Sequence, residues 1–164
     1  MSQMTTHHVQ EALGLLGIDA QIHTFEESTA TATEAAAAIG TELGSIVKSL
    51  CFVIEGSPVV ILTAGDQRVD DRKLGALYGV SRKKVKIADS DTTVRETGYL
   101  PGGVPPVGHR TRIPVLIDST LQRYKTVYAA AGSANSIFPI DLGTLITATQ
   151  GKVVDIAKEV DRDT

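Results

Sequence analysis

The sequence predicts a mixed α/β protein, with a single domain over residues 1–164 built on a curved mixed β-sheet of about six or more strands surrounded by helices. Helical and strand patterns alternate irregularly along the 164 residues, without the strict order of a parallel βαβ fold. Two β-branched apolar runs, residues 45–54 and 58–64, are separated by only three residues, "EGS", which indicates an antiparallel hairpin. No repeat, linker or low-complexity tract divides the chain.

The individual elements follow from periodicity and from signals at their ends. Residues 5–16 have the pattern of an amphipathic helix, and residues 20–26 alternate like a strand. Residues 31–40 are predicted as a helix, because Thr31 and Glu34 form a capping box and a glycine stands at the end. The remaining predicted elements are, in order, a helix at 69–79, a strand at 83–88, a helix at 89–98, strands at 113–118 and 126–131, a helix around 141–149 and a strand at 152–157.

Composition and charge exclude several classes of function. The net charge is −3 and the sequence pI is about 5.8, so no global field attracts DNA or an anionic membrane, and any polyanion must bind locally. The best local candidates are "SRKKVK" (81–86) and a group of four basic residues, Arg110, Arg112, Arg123 and Lys125. The single cysteine, Cys51, excludes an internal disulfide and favours a reducing compartment. We therefore expect a cytoplasmic protein with no membrane segment.

Common catalytic motifs do not fit this sequence. The stretch "GTELGSIVKS" has Val47 where a phosphate-binding loop needs glycine, and it precedes a strand instead of following one. The histidines show no metal-ligand spacing, so no metal and no cofactor is predicted. A Ser-His-Asp triad stays open, because its members need not be adjacent in sequence.

Lys48 is the most unusual residue, since it stands in the middle of an apolar strand. It shares one face of that strand with Ile46, Leu50 and Phe52. One interpretation is structural: the methylene stem packs on the sheet and the ammonium reaches water. The other is that the strand borders a cleft that binds an anionic or carbonyl-bearing ligand. The glycine- and proline-rich residues 98–109 and the small residues 130–136 could form its other walls, although each could instead be a plain turn, which is the simpler interpretation of residues 130–136 taken alone.

Five motifs together resemble the YbaK family. "VKSL", "GDQRVD", "TGYLPGGVPPVGH", "VLID" and "AAGSAN" occur in the family's order, over residues 20–158. The family includes free-standing aminoacyl-tRNA deacylases and is similar to the editing domain inserted into bacterial prolyl-tRNA synthetases. The resemblance implies one mixed α/β domain, without a metal.

The resemblance also implies a reaction and a set of site residues. The reaction is hydrolysis of the ester that joins a wrong amino acid, typically alanine or cysteine, to the acceptor end of proline tRNA. Lys48 matches the catalytic lysine, and we expect Gly102 and Gly103 to offer backbone N–H donors. A prolyl-tRNA synthetase is a further expected partner. The predicted substrate-binding residues are Gly102, Gly103, Val104, Pro105, Pro106, Gly108, His109, Asp118, Gly132, Ser133 and Ala134.

Several positions leave alternatives open. Pro105 stands where many members have serine, and a late histidine of the synthetase domains has no match. His109 could replace that histidine, or it could simply bind the backbone of its own loop. Asp118 could bind substrate or cap the turn that follows it. The alternative functions are a non-catalytic module that binds a tRNA end, an amino acid or a nucleotide, and a hydrolase of another small ester.

Overall fold

The computed structural model describes residues 2–159, which form five α-helices and one mixed eight-stranded sheet. The helices are α1 (Thr6–Leu15), α2 (Ala32–Ile39), α3 (Asp71–Tyr78), α4 (Ser90–Thr97) and α5 (Leu142–Thr149). The strands are β1 (His23–Thr24), β2 (Ile46–Ile54), β3 (Ser57–Ala64), β4 (Val85–Ile87), β5 (Val115–Asp118), β6 (Thr126–Ala130), β7 (Ser136–Asp141) and β8 (Lys152–Val154). None of the described helices is long and apolar enough to cross a membrane.

The sheet mixes parallel and antiparallel pairs, as predicted. Its strand order is β1-β7-β6-β2-β3-β5-β8, and β4 also pairs with β2. The predicted hairpin is confirmed, because β2 and β3 pair antiparallel along eight positions, with Lys48 opposite Thr63. The pairs β2–β6, β3–β5 and β5–β8 are parallel. The hairpin therefore occupies the centre of the sheet and fixes the position of Lys48.

One edge of β2 is divided between two partners. β6 pairs with β2 at Ile46 and Val47, whereas β4 pairs with it from Phe52 to Ile54. Within the described chain, no strand pairs with residues 48–50 on that edge. We call this interruption the β2 gap, and it leaves space beside Lys48 that a continuous sheet would fill.

Both faces of β2 pack on apolar residues, which explains its apolar sequence. Val47 belongs to the main core, together with Val9 and Leu13 of α1. On the opposite face, Ile46 packs with residues of α2, and Phe52 belongs to a cluster with α3. Because side chains alternate along a strand, Lys48 lies on this second face, between the two smaller clusters.

Several predicted boundaries differ from the structure. Only two residues of the predicted strand 20–26 are paired, and the predicted strand 83–88 begins with a 3₁₀ turn, Arg82–Lys84. The strand predicted at 152–157 ends at Val154. The sequence analysis missed β7, which contains Pro139. This proline is tolerated because β1 is short and pairs only with Ser136 and Ile137. No residue of β1 lies beside Pro139, so the N–H that proline lacks is not required for pairing with β1.

Cys51 gives a direct test of the packing around β2. It is buried, and burial together with the charge of Glu96 raises its thiol pKa to about 11. Because the thiolate is the reactive form, we expect its reaction with Ellman's reagent at neutral pH to be at least ~100-fold slower than that of an ordinary thiol. The rate should recover in denaturant. Reaction of the native protein at the rate of a free thiol would contradict this packing.

Candidate active site

A cleft of about 290 Å³ lies at the β2 gap. One wall is β2 itself, from Ile46 to Leu50, and it includes Lys48. The approach to α2 and its first turns form a second wall, while Gly102 and Val104 contribute from the loop of residues 98–109, which we call the glycine-proline segment. The remaining lining residues are Tyr128, Ala129, Ala130 and Ile137. The structure therefore brings the lysine and the glycine-proline segment to one cavity.

Lys48 is held in the cleft by a hydrogen bond. It is partly buried, and its Nζ atom donates to the backbone oxygen of Gln67 at 2.7 Å. Burial lowers the pKa of the Lys48 ammonium, the charge of Arg68 lowers it further, and Asp66 acts in the opposite direction. A partly desolvated cation gains more from an anionic ligand than a cation in water does. An ammonium carries three donors, so two remain for a ligand.

An ion pair anchors the turn that carries the Gln67 oxygen. Arg123 donates to both carboxylate oxygens of Asp66, at 2.9 and 2.7 Å, and also to the backbone oxygen of Thr120, at 2.6 Å. The hydrogen bond from Arg123 is the main reason that the pKa of Asp66 is lowered. Bidentate pairing fixes the orientation of both groups. The acceptor of Lys48 is thus tied to the segment after β5.

The two glycines of the segment have different roles. Gly102 lines the cleft with a φ of +89°, and a Cβ atom at this position would lie 3.0 Å from the Cβ of Ala30. Gly103 lies behind the cleft, where a Cβ would meet the Ser133 backbone at 3.1 Å. Its N–H donates to the backbone oxygen of Leu100 at 3.0 Å, so in this structure the N–H that we expected to bind a ligand is engaged within the loop. Gly102 has the small size that close approach of a ligand requires.

The turn of Gly132, Ser133 and Ala134 supports the cleft from outside its lining. Gly132 donates its N–H to the oxygen of Gly103 at 3.0 Å. The oxygen of Ala134 accepts from the N–H of Thr29 at 2.7 Å. The turn therefore connects the glycine-proline segment to the stretch before α2, and it positions both walls.

His109 lies away from the cleft. Together with Pro106 and Gly108 it lines a different cavity, and its Nε2 atom is 2.7 Å from the backbone oxygen of Pro105. Burial lowers the pKa of His109. The structure thus agrees with a loop histidine bound to its own backbone, and not with a replacement for the missing histidine. Pro105 is buried and does not line the cleft either.

Asp118 is a buried structural carboxylate. It is fully buried, its Oδ1 accepts from the N–H of Ile156 at 3.0 Å, and its Oδ2 accepts from the N–H and the hydroxyl of Thr120. All these donors belong to the protein, and Asp118 does not line the cleft. Asp118 was expected either to bind substrate or to cap the turn that follows it, and its hydrogen bonds to Thr120 are those of a cap.

Sequence reasoning missed the residues that approach α2. Thr29, Ala30 and Thr31 line the cleft, as do Tyr128 and Ala129 of β6. The capping box was the available signal, since it places the start of a helix, and hence unpaired N–H groups, after Thr31. Among residues 2–159, no three histidine, cysteine, aspartate or glutamate side chains are grouped so as to hold a metal ion.

Comparisons with known proteins connect this chain to a family and to a solved structure with the same fold. A family model described as the aminoacyl-tRNA editing domain matches residues 26–148. A solved structure described as a candidate trans-editing enzyme for prolyl-tRNA synthetase superposes with a TM-score of 0.88 and 36% identity, covering 94% of this chain and 97% of the other. The YwhH protein of Bacillus subtilis is 36% identical over 137 residues, which is 82% of this chain and 85% of YwhH. EbsC of Enterococcus faecalis, named as a candidate Cys-tRNA(Pro)/Cys-tRNA(Cys) deacylase, is 28% identical over 80% of each chain.

The contacts of Asp118 predict a structural phenotype. In the Asp118→Asn variant an amide N–H would face backbone N–H donors, so we expect a loss of about 1–3 kcal/mol in the free energy of unfolding. Asp141→Asn is the matched control, because Asp141 caps α5 from an exposed position. Its replacement should lower the free energy of unfolding by less than that of Asp118 does. Urea denaturation measures both. Equal stability of the Asp118 variant and the wild type would contradict the structural role.

Proposed function

The chain belongs to the aminoacyl-tRNA editing domain family, the YbaK family, and on that premise we propose that it hydrolyses mischarged aminoacyl-tRNA in trans, without a metal. The observation that carries the proposal is the partly buried Lys48, which lines a small cleft together with Gly102. Family membership supports the reaction class, and the cleft supports Lys48 as the catalytic residue.

The chemistry of an aminoacyl ester suits this site. Water attacks the ester carbonyl, the carbonyl oxygen becomes an oxyanion, and the bond to the ribose oxygen then breaks. Lys48 Nζ donates to the developing oxyanion, since only one of its hydrogens is needed by Gln67. The neighbouring ribose hydroxyl relays the proton of the attacking water to the leaving ribose oxygen. The products are a free amino acid and the intact tRNA terminus.

Substrate selection is proposed to work by size. Several lining residues are alanines, namely Ala30, Ala32, Ala35, Ala129 and Ala130, and the cleft holds about 290 Å³. Attraction alone separates side chains that differ by one methylene by only about 1–3 kcal/mol, so exclusion of larger groups must contribute. We propose alanine or cysteine on proline tRNA as the substrate. The names of EbsC and of the superposed structure support this tRNA, and a prolyl-tRNA synthetase as partner.

Replacement of Lys48 tests the catalytic assignment. Lys48→Met keeps most of the apolar stem and removes the charge, so we expect deacylation of the best substrate to fall by about 10²–10³-fold. The thermal midpoint should stay near that of the wild type. Lys152→Met is the control, because Lys152 is exposed on β8 at the other end of the sheet, and it should retain full activity. An active Lys48→Met enzyme would show that the assignment is wrong.

A panel of labelled aminoacyl-tRNAs tests the reaction and its selectivity. We expect release of alanine or cysteine from proline tRNA and little release of larger amino acids, because the cleft is small. The measurement is the rate of amino-acid release, corrected for spontaneous hydrolysis. The rival function is a non-catalytic binding module, which is favoured by the engaged Gly103 N–H and by the absence of histidine from the cleft lining within the described chain. Binding of tRNA without release of any amino acid would select this rival.

A further inference from the structure

A second cavity of about 400 Å³ adjoins the glycine-proline segment. Residues 106–113 form most of its lining, and they are joined by Val115, by Leu16 after α1 and by residues 148–150 at the end of α5. We call this cavity the arginine groove, because Arg110 and Arg112 both line it. No step of the proposed hydrolysis uses it.

The charge of the arginine groove is opposite in sign to that of the whole protein. Its lining includes two arginines and His109 but neither aspartate nor glutamate, although the chain carries a net charge of −3. Across residues 2–159, neither arginine forms an ion pair with a carboxylate. Arg112 donates to the neutral amide oxygen of Gln150 at 3.1 Å, and Arg110 donates to the backbone oxygen of Ser2. Two uncompensated cations thus face one cavity.

Arg110 also has an unused donor. Its Nε atom is buried and has no hydrogen-bond partner among the described residues. A buried donor without a partner is unfavourable, and more so when the group is charged. Arg123 makes the contrast clear, since its Nε donates to Thr120 and its other nitrogens bind Asp66. Arg110 therefore keeps hydrogen-bonding capacity that Arg123 has used.

The helix end in the groove opposes an anion only weakly. α5 ends at Thr149, and its last carbonyl groups carry about half a negative charge. Two guanidinium groups exceed this partial charge, so the groove remains net positive. The planar guanidinium fork also matches the oxygen geometry of phosphate better than an ammonium does.

We propose that the arginine groove binds a phosphate group of the tRNA backbone, next to the acceptor end. This inference rests on the proposed function, because it takes the tRNA ester to lie in the cleft. Val104 lines the cleft and Pro106 lines the groove, so the two cavities are two residues apart along one segment, at most about 7 Å between Cα atoms. The proposal takes the backbone of a tRNA whose terminus lies in the cleft to pass along this segment to Arg110 and Arg112. A small free phosphate compound has the same chemistry and is the other possible source.

Binding of uncharged tRNA across a salt series tests the groove. We expect the double variant Arg110→Gln/Arg112→Gln to bind tRNA more weakly than the wild type. The slope of the logarithm of the binding constant against the logarithm of salt concentration should be smaller by up to about two. The matched control is Lys83→Gln/Lys84→Gln, which removes the same charge from an exposed turn that the sequence analysis singled out. If only the arginine double variant binds tRNA more weakly, the result supports the arginine groove as the phosphate site. If only the lysine double variant binds tRNA more weakly, or if both double variants do so equally, the result overturns the proposal.

Two further measurements separate the ligand source from the proposed function. If the source is a free compound, millimolar inorganic phosphate should raise the thermal midpoint of the wild type above that in chloride of equal ionic strength, and it should not do so for the arginine variant. If neither tRNA nor phosphate distinguishes the variant from the wild type, the groove is not a phosphate site. The aminoacyl-tRNA panel measures hydrolysis by the wild type, whereas the salt series measures binding of uncharged tRNA, so a failed hydrolysis assay and a failed groove give different results.

Discussion

The hydrogen bond from the Lys48 ammonium to the Gln67 oxygen is the interaction on which this site depends. A cation between two apolar clusters is costly unless it is hydrogen-bonded. The turn after β3 supplies the acceptor, the Gln67 oxygen, and the β2 gap leaves room beside the side chain. The turn around Gln67 is in turn held by Asp66 and Arg123. Because this ion pair fixes the acceptor, the Lys48 side chain is held at the cleft, and among the described residues its ammonium forms no ion pair with a carboxylate.

The glycine-proline segment is held in place by hydrogen bonds and packing outside the lining of the cleft. The Tyr99 hydroxyl donates to the oxygen of Gly108 at 2.8 Å, and His109 binds the oxygen of Pro105. Gly103 packs directly on the backbone of Ser133. Most of the residues that family resemblance marks in this segment therefore shape the wall from behind, while Gly102 and Val104 are the two that line the cleft.

Local patterns predicted the hairpin, α2 with its capping box, and the position of Lys48, because these depend on neighbours in sequence. They did not predict β7, where the length of β1 decides whether Pro139 is tolerated. Nor could they decide the role of Asp118, since its donor Ile156 lies 38 residues further along the chain. The same holds for the cleft lining before α2, which is placed by Ala134, a residue far away in sequence. Contacts between distant segments set these features.

The alanines of the cleft come from separate elements whose backbones are anchored elsewhere. Ala30 precedes α2, Ala32 belongs to α2 and Ala130 belongs to β6. These three are only partly buried, so a larger side chain at any of them would shrink the cavity without entering the packed core. Descendants of one ancestral gene could therefore diverge in the amino acid they remove through single substitutions, while the chemistry of the reaction stays constant.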